Sequence, residues 1–163
     1  MNGELRIRSA RLDDVGQLLA LMRALAEFEG YITDFKVSES ELRRRCFVNQ
    51  DFHVLVAEVG EELVGMLVYY TQPFTYDLAP WFVIKELFVR ESSRGHGAGR
   101  KLMKEAALRC VEEGGSRLRW EVLVDNPAAK KFYSSLGAQA DTQWQTWQLS
   151  RSRLVNFANA KDC

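Results

Sequence analysis

The chain has 163 residues, 47% of them hydrophobic and 27% charged, enough for one domain that buries about 68–70% of the surface its unfolded chain exposes. Its 22 Lys and Arg balance 22 Asp and Glu, which argues against the broad positive field of a protein that grips nucleic acid by its phosphates. No run approaches 18 apolar residues, the start Met1-Asn2-Gly3-Glu4 is polar, and Cys46, Cys110 and Cys163 lie far apart with no Cys-x-x-Cys, so the expectation is a soluble cytoplasmic chain with reduced thiols, no metal site and no membrane contact.

Leu5, Ile7 and Ser9 alternate with Arg6 and Arg8, the period of a strand with one buried face. From Asp13 the period lengthens. Val15, Leu18, Leu19, Met22, Leu25 and Ala26 follow helical spacing, and Gly30 stands where that helix would stop. Ser38 and Glu41 make the pattern of a capping box, opening a shorter helix to about Val48 with Arg43, Arg44 and Arg45 on its wet side. Segments 52–59 and 63–70, rich in Val and aromatic residues, flank Gly60-Glu61-Glu62 and predict an antiparallel hairpin. The connection 71–80 holds two of the three prolines, and such a loop is a natural place for substrate contacts.

Trp81 to Val89 is almost all apolar, as a central strand should be, yet Lys85 and Glu86 interrupt it. Strand alternation would send those two side chains to opposite faces. After the loop 90–97 a helix is expected to about Glu113, with Leu102, Met103, Ala106, Ala107 and Cys110 on its apolar stripe. Residues 118–123 read as a strand. Asn126 as N-cap, Pro127 at the first helical position and Gly137 past the end bracket another helix. Segment 143–149 alternates Trp144 and Thr146 against Gln145 and Trp147 and reads as a last strand. The order β-α-α-β-β-β-α-β-α-β predicts one mixed α/β domain over 1–163.

The segment Arg94-Gly95-His96-Gly97-Ala98-Gly99-Arg100 lies between a buried strand and a helix. Small residues there let the backbone approach an anion, the first helical amides point at it, and Arg94, Arg100 and Lys101 add local positive charge. It is neither a P-loop, which needs Gly-Lys-Ser/Thr, nor the dinucleotide fingerprint. Glu86 is costly in an apolar strand unless a cation pairs with it or a cleft opens beside it. His53 and His96 fit no ligand pattern, and Cys46 and Cys110 read as packing residues.

Arg94-x-x-Gly97-x-Gly99 after Leu87-Phe88-Val89, then Asn126-Pro127, Lys131-Phe132-Tyr133 and Leu136-Gly137-Ala138, resembles the GNAT family of N-acetyltransferases over nearly the whole chain. Leu25-Ala26-Glu27-Phe28-Glu29, Phe74-Thr75-Tyr76-Asp77 and Pro80-Trp81 are similar to the spermidine/spermine and thialysine acetyltransferase branch. The resemblance implies a mixed central sheet of about six to seven strands flanked by about four helices, with acetyl-CoA held where two parallel strands splay apart. Carried over, the backbone of Leu87, Phe88 and Val89 would pair with the pantetheine arm. Amides from Gly95 through His96, Gly97, Ala98, Gly99 and Arg100 would hold the pyrophosphate, and Asn126 with Ala129 would line the other side. Tyr133 matches the family's general acid, since a phenol of pKa about 10 still holds its proton at pH 7. Glu86 would be a base acting through water on the incoming ammonium.

Phe28, Glu29, Asp77, Lys85, Arg119, Trp120 and Glu121 would meet the acceptor. The resemblance implies a primary amine of a small molecule as acceptor, a polyamine, diamine or lysine-like amine; Lys85 departs from the branch, whose polyamine enzymes carry an acidic residue there, and so favours a small primary amine or an amino-acid-like amine, whose carboxylate Lys85 could meet, over spermine. Leu136 departs too, where those enzymes tend to carry a basic residue. With Cys46 and Cys110 read as packing residues and not nucleophiles, direct transfer in a ternary complex is expected, and the resemblance further implies a homodimer paired through the late strands. Two alternatives stay open: acetylation of a protein N-terminus or lysine, and a non-catalytic acyl-CoA-binding module.

Overall fold

The alternating segments become strands β1 (Leu5–Ser9), β2 (His53–Val59), β3 (Glu62–Gln72) and β4 (Trp81–Val89), paired antiparallel in chain order. β5 (Arg117–Trp120) joins β4 in parallel, which needs a crossover element between them. The structure, a computed structural model, describes residues 3–73, 76 and 78–160. The expected contact Asp77 lies outside the described residues.

Helix α1 (Val15–Glu29) ends where Gly30 adopts φ 81°, a left-handed conformation that glycine enters without penalty. Helix α2 (Glu39–Leu42) opens on Ser38, whose side chain accepts from the Glu41 amide, and runs on into a π-helical turn at Arg43–Val48. The crossover is α3 (Ala98–Glu112). Its buried stripe is Leu102, Met103, Ala106 and Cys110, whereas Ala107, expected on that stripe, is exposed.

Val54, Val56, Met66, Val68 and Phe88 pack with α1 residues Leu18, Leu21, Met22 and Leu25 in one core cluster. The intervening residues Leu55, Leu67 and Phe82 are fully buried and point to the other face by the two-residue period, where α3 packs. Each fully buried Leu or Phe contributes roughly 1.5–3 kcal/mol relative to leaving it exposed. Two-faced burial therefore fixes the register of β2, β3 and β4, and with it every residue on β4.

The chain divides into two compact units, Met1–Leu123 and Val124–Cys163. The second holds α4 (Pro127–Ser134) and α5 (Arg151–Ala158). One expectation is overturned there. Segment 143–149 is not a strand, and the sheet has five strands rather than six or seven among the described residues. Alternation and aromatic content suit a pleated surface only where a neighbouring strand supplies backbone partners, and none of the described strands pairs with this segment. Trp144 and Trp147 are 77% and 88% exposed.

Candidate active site

The β3–β4 register steps from Val68↔Glu86 to Tyr69↔Ile84, so Lys85 and Glu86 together oppose Val68 in a β-bulge. The alternation that would separate these two side chains is broken at this point. Both feel Glu29 at the end of α1, whose own carboxyl is held up by burial with Lys85 opposing, and which raises the Glu86 pKa. The larger influence on Glu86 is burial, which holds its carboxyl above the ordinary range, with Lys85 opposing. Its Oε2 is shut from solvent and has no hydrogen-bond partner among the described residues. Tyr31, unremarked in the sequence, completes the cluster: burial and then Glu86 and Glu29 push its phenol up. A buried acceptor atom without a donor is costly, and an ammonium is a group that would satisfy it.

Beside the bulge a groove of about 190 Å³ runs across β3, β4 and β5, lined by Tyr70, Gln72, Lys85, Arg119, Trp120 and Glu121 among others. Val83 pairs with Tyr70 on one side and Arg119 on the other, which puts all three on one face. The Arg117 and Arg119 guanidiniums lie 4.4 and 6.0 Å from the centre of the Trp81 ring. The wall therefore offers Lys85 and Arg119 as cations and Glu121 as an anion. Lys85, Arg119, Trp120 and Glu121, all expected from the sequence to meet the acceptor, line this one groove, and Tyr70 and Gln72 join them through strand register.

β5 pairs with β4 from Trp81 to Ile84 and no further, so beyond the bulge β4 has a free edge toward β5. The Arg90 amide donates to the Val64 carbonyl on β3 at 2.8 Å. In a trans peptide the Val89 carbonyl then points the opposite way, off the sheet on that open edge. Past it the loop turns on Gly95 and Gly97, with φ 82° and 84°. Nothing lies within 4 Å of where a Cβ would stand at either. The first intrahelical bond of α3 runs from Lys101 to the Gly97 carbonyl at 2.9 Å, so the Ala98, Gly99 and Arg100 amides precede it. An open strand edge beside a helix N-terminus suits a ligand with an amide-bearing arm and a phosphate group.

In the second unit Asn126 Oδ1 accepts from the Ala129 amide at 3.0 Å, the N-cap bond that unites the two residues expected to line the coenzyme site. Tyr133 lies on α4 with its ring 5.2 Å from that of Phe132, and its carbonyl accepts from Leu136 and Ala138. Outside these groups, the His53 ring lies 5.2 Å from that of Tyr69, tilted by 35°, and His96 is exposed in the loop.

The acetyltransferase (GNAT) family model matches residues 18–138. The chain belongs to that family. This acetyltransferase is 36% identical over 155 residues to the thialysine N-epsilon-acetyltransferase of Mus musculus, covering 87% of this chain and 88% of the relative. The Bos taurus enzyme of the same name is 35% identical, covering 89% and 90%. Among solved structures it is similar to an integron cassette protein from the mobile metagenome of V. cholerae, with TM-score 0.79, 25% identity and coverage of 96% and 98%. The protein is thus an acetyl-CoA-dependent N-acetyltransferase, and the free β4 edge with the Gly95–Gly97 turn is consistent with acetyl-CoA as its co-substrate. No helix among the described residues is long and apolar enough to cross a membrane.

Proposed function

We propose that this acetyltransferase moves the acetyl group of acetyl-CoA to a primary amine of a small molecule that also carries a carboxylate. The observation that carries the acceptor class is the groove wall, where Lys85 and Arg119 stand beside Glu121. A polyamine would meet two cations there, whereas an amino-acid-like amine would set its carboxylate against them. The thialysine acetyltransferases similar to it act, by their name, on an amino acid with a side-chain amine. Phe28, Glu29, Trp120 and Glu121 complete the acceptor contacts in this reading.

The chemistry assigned to the chain follows from charge. Glu86, ionised, takes a proton from the acceptor ammonium through water, and the freed lone pair attacks the thioester carbonyl. The new N–C bond forms as the C–S bond breaks; Tyr133 gives its proton to the departing thiolate, and the second proton the nitrogen sheds on becoming an amide leaves through water to solvent, from which Tyr133 is reprotonated. Leu87, Phe88 and Val89 pair with the pantetheine arm, the Gly95-to-Arg100 amides hold the pyrophosphate, and Asn126 and Ala129 line its other side. Residues 1–163 act as one domain in this proposal, since the family match runs across the boundary between the two units. The test is Lys85→Glu. Use of spermidine should improve and use of lysine-like amines should weaken, each by about tenfold in a partly wet site. No change in either would remove Lys85 from acceptor recognition.

A cytoplasmic homodimer belongs to the same proposal. Trp144, Trp147 and Leu149 expose apolar surface although they form no strand, and a second copy would cover it. Light scattering should give twice the 18.7 kDa chain mass; a monomer at micromolar concentration would contradict this.

A further inference from the structure

Two cations meet at one ring on the wall of the acceptor groove. Trp81 pairs with Arg117 and Val83 with Arg119 across β4 and β5, so both arginines leave β5 on the face that carries Trp81. Their guanidinium carbons lie 4.4 and 6.0 Å from the centre of the Trp81 ring. That ring is 8% exposed, a fixed platform beneath both, whereas the two arginines are exposed. Among the described residues neither guanidinium forms an ion pair. Like charges side by side repel, and an anion shared between them removes that cost. Arg119 also lines the groove, so the pair opens onto the acceptor.

The β3 register measures how far this pair lies from Glu86. Gln72, Tyr70 and Val68 alternate along one face of β3 and oppose Trp81, Val83 and the Lys85–Glu86 bulge in turn. At about 3.4 Å per residue, Val83 with Arg119 lies about 7 Å from the bulge and Trp81 with Arg117 about 14 Å.

We infer that Arg117 and Arg119 form a carboxylate clamp against Trp81, and that its distance from Glu86 selects acceptors by the length of chain between amine and carboxylate. A water between Glu86 and the ammonium takes up about 3 Å, which leaves about 4–11 Å for the acceptor. Extended lysine spans roughly 7 Å from side-chain nitrogen to carboxyl carbon, and diaminopropionate roughly half as much. Lysine-length acceptors reach the clamp; shorter ones do not. Two planar guanidinium forks also match a carboxylate in a way that a single ammonium cannot. This rests on the acceptor site proposed above.

Steady-state kinetics on the full chain test it through ratios. Lysine, diaminopropionate and cadaverine, which is lysine without its carboxylate, are compared in the parent, Arg117→Gln, Arg117→Lys and Lys85→Gln. The parent kcat/KM for lysine should exceed that for either of the others by at least about tenfold, the scale of one charge contact in a partly wet site. The lysine-to-cadaverine ratio should fall about three- to tenfold in Arg117→Gln and at least about twofold in Arg117→Lys, which decides the matter should the first variant fail to fold. A merely structural Arg117 would lower both substrates together, and a parental ratio in these variants overturns the clamp. If Lys85→Gln alone abolishes the ratio, the carboxylate lies at Lys85 and the acceptor reading stands without the clamp. A raised KM for acetyl-CoA in Arg117→Gln at unchanged ratio would put a coenzyme phosphate there and equally overturn it. Diaminopropionate used as well as lysine overturns the selection by length. A parent ratio near one, or no use of lysine, overturns the acceptor reading and the clamp with it.

Discussion

A carboxylate whose Oε2 is buried without a hydrogen-bond partner among the described residues has a cost in the folded chain, and Glu86 lets that cost be measured together with its use. Burial and Glu29 raise its pKa, so the folded state keeps its proton to higher pH than the unfolded chain does. Stability therefore falls as pH rises from the unfolded to the folded pKa, and Glu86→Gln should melt higher than the parent at neutral pH. The base must be ionised to act, so activity should fall as pH drops through that same raised pKa, an acidic limb above the ordinary carboxylate range. Glu86→Gln should lose that limb and roughly 10²–10⁴ in maximal rate. A variant within a factor of two of the parent would remove Glu86 from the mechanism. Tyr133→Phe should likewise lower the maximal rate far more than coenzyme affinity, because the hydroxyl serves only as the thiolate departs. Steady-state rates beside CoA binding constants check this. Glu86 itself was legible as a costly residue in an apolar run, but its relation to Lys85 was not. A bulge is a property of two paired strands, and only the step from Val68↔Glu86 to Tyr69↔Ile84 reveals it.

Helix ends and turns were the most legible features, because their determinants are local. Gly30, Ser38, Asn126 with Pro127, and Gly97 each act within a few residues of themselves. Segment 143–149 failed for the converse reason: a strand needs a partner that its own residues do not encode. The α3 entry carries the next prediction. Gly97 sits at φ 84°, where a β-branched residue is strained by roughly 1–3 kcal/mol. Gly97→Val should melt lower and lose the rise in melting temperature that acetyl-CoA gives the parent. A rise of parental size would place the coenzyme elsewhere. At the other end of the sheet, Arg8 Nη1 bonds Asp14 at 2.7 Å and its Nε bonds Glu58 at 2.9 Å, tying β1 to β2 and to the start of α1. Burial raises the Asp14 pKa, but Arg8 and the Arg11 amide outweigh it and hold the carboxyl low. Arg8 directly lowers Glu58. This contribution is present above the unfolded carboxylate range and is lost as pH falls through the lowered folded values. Arg8→Met should cost about 1–3 kcal/mol at pH 7, or about 2–4 °C per kcal/mol for a chain of this size. The deficit should shrink in acid; thermal melts across pH check it, and a constant deficit would show that packing, not charge, is lost.

For the molecule as a whole, the family was legible because its residues cluster at one strand, one turn and one helix start. The acceptor was less legible, because the groove joins Tyr70, Lys85 and Arg119 from three strands that only the sheet brings together. The contacts of Arg117 and Arg119 with Trp81 were not legible at all, since only the parallel pairing of β4 with β5 brings them to that ring. The central proposal belongs to this scale: Lys85 and Arg119 would turn the site toward amines that carry a carboxylate. The direct measurement is thiol release from acetyl-CoA by the parent protein over thialysine, lysine, ornithine, spermidine, spermine and a lysine-containing peptide. The account predicts that kcat/KM is highest for an amino acid with a side-chain amine and at least about tenfold lower for spermidine, the scale of one unfavourable charge contact in a partly wet site. Spermidine or the peptide used better than every amino acid in the panel would contradict it.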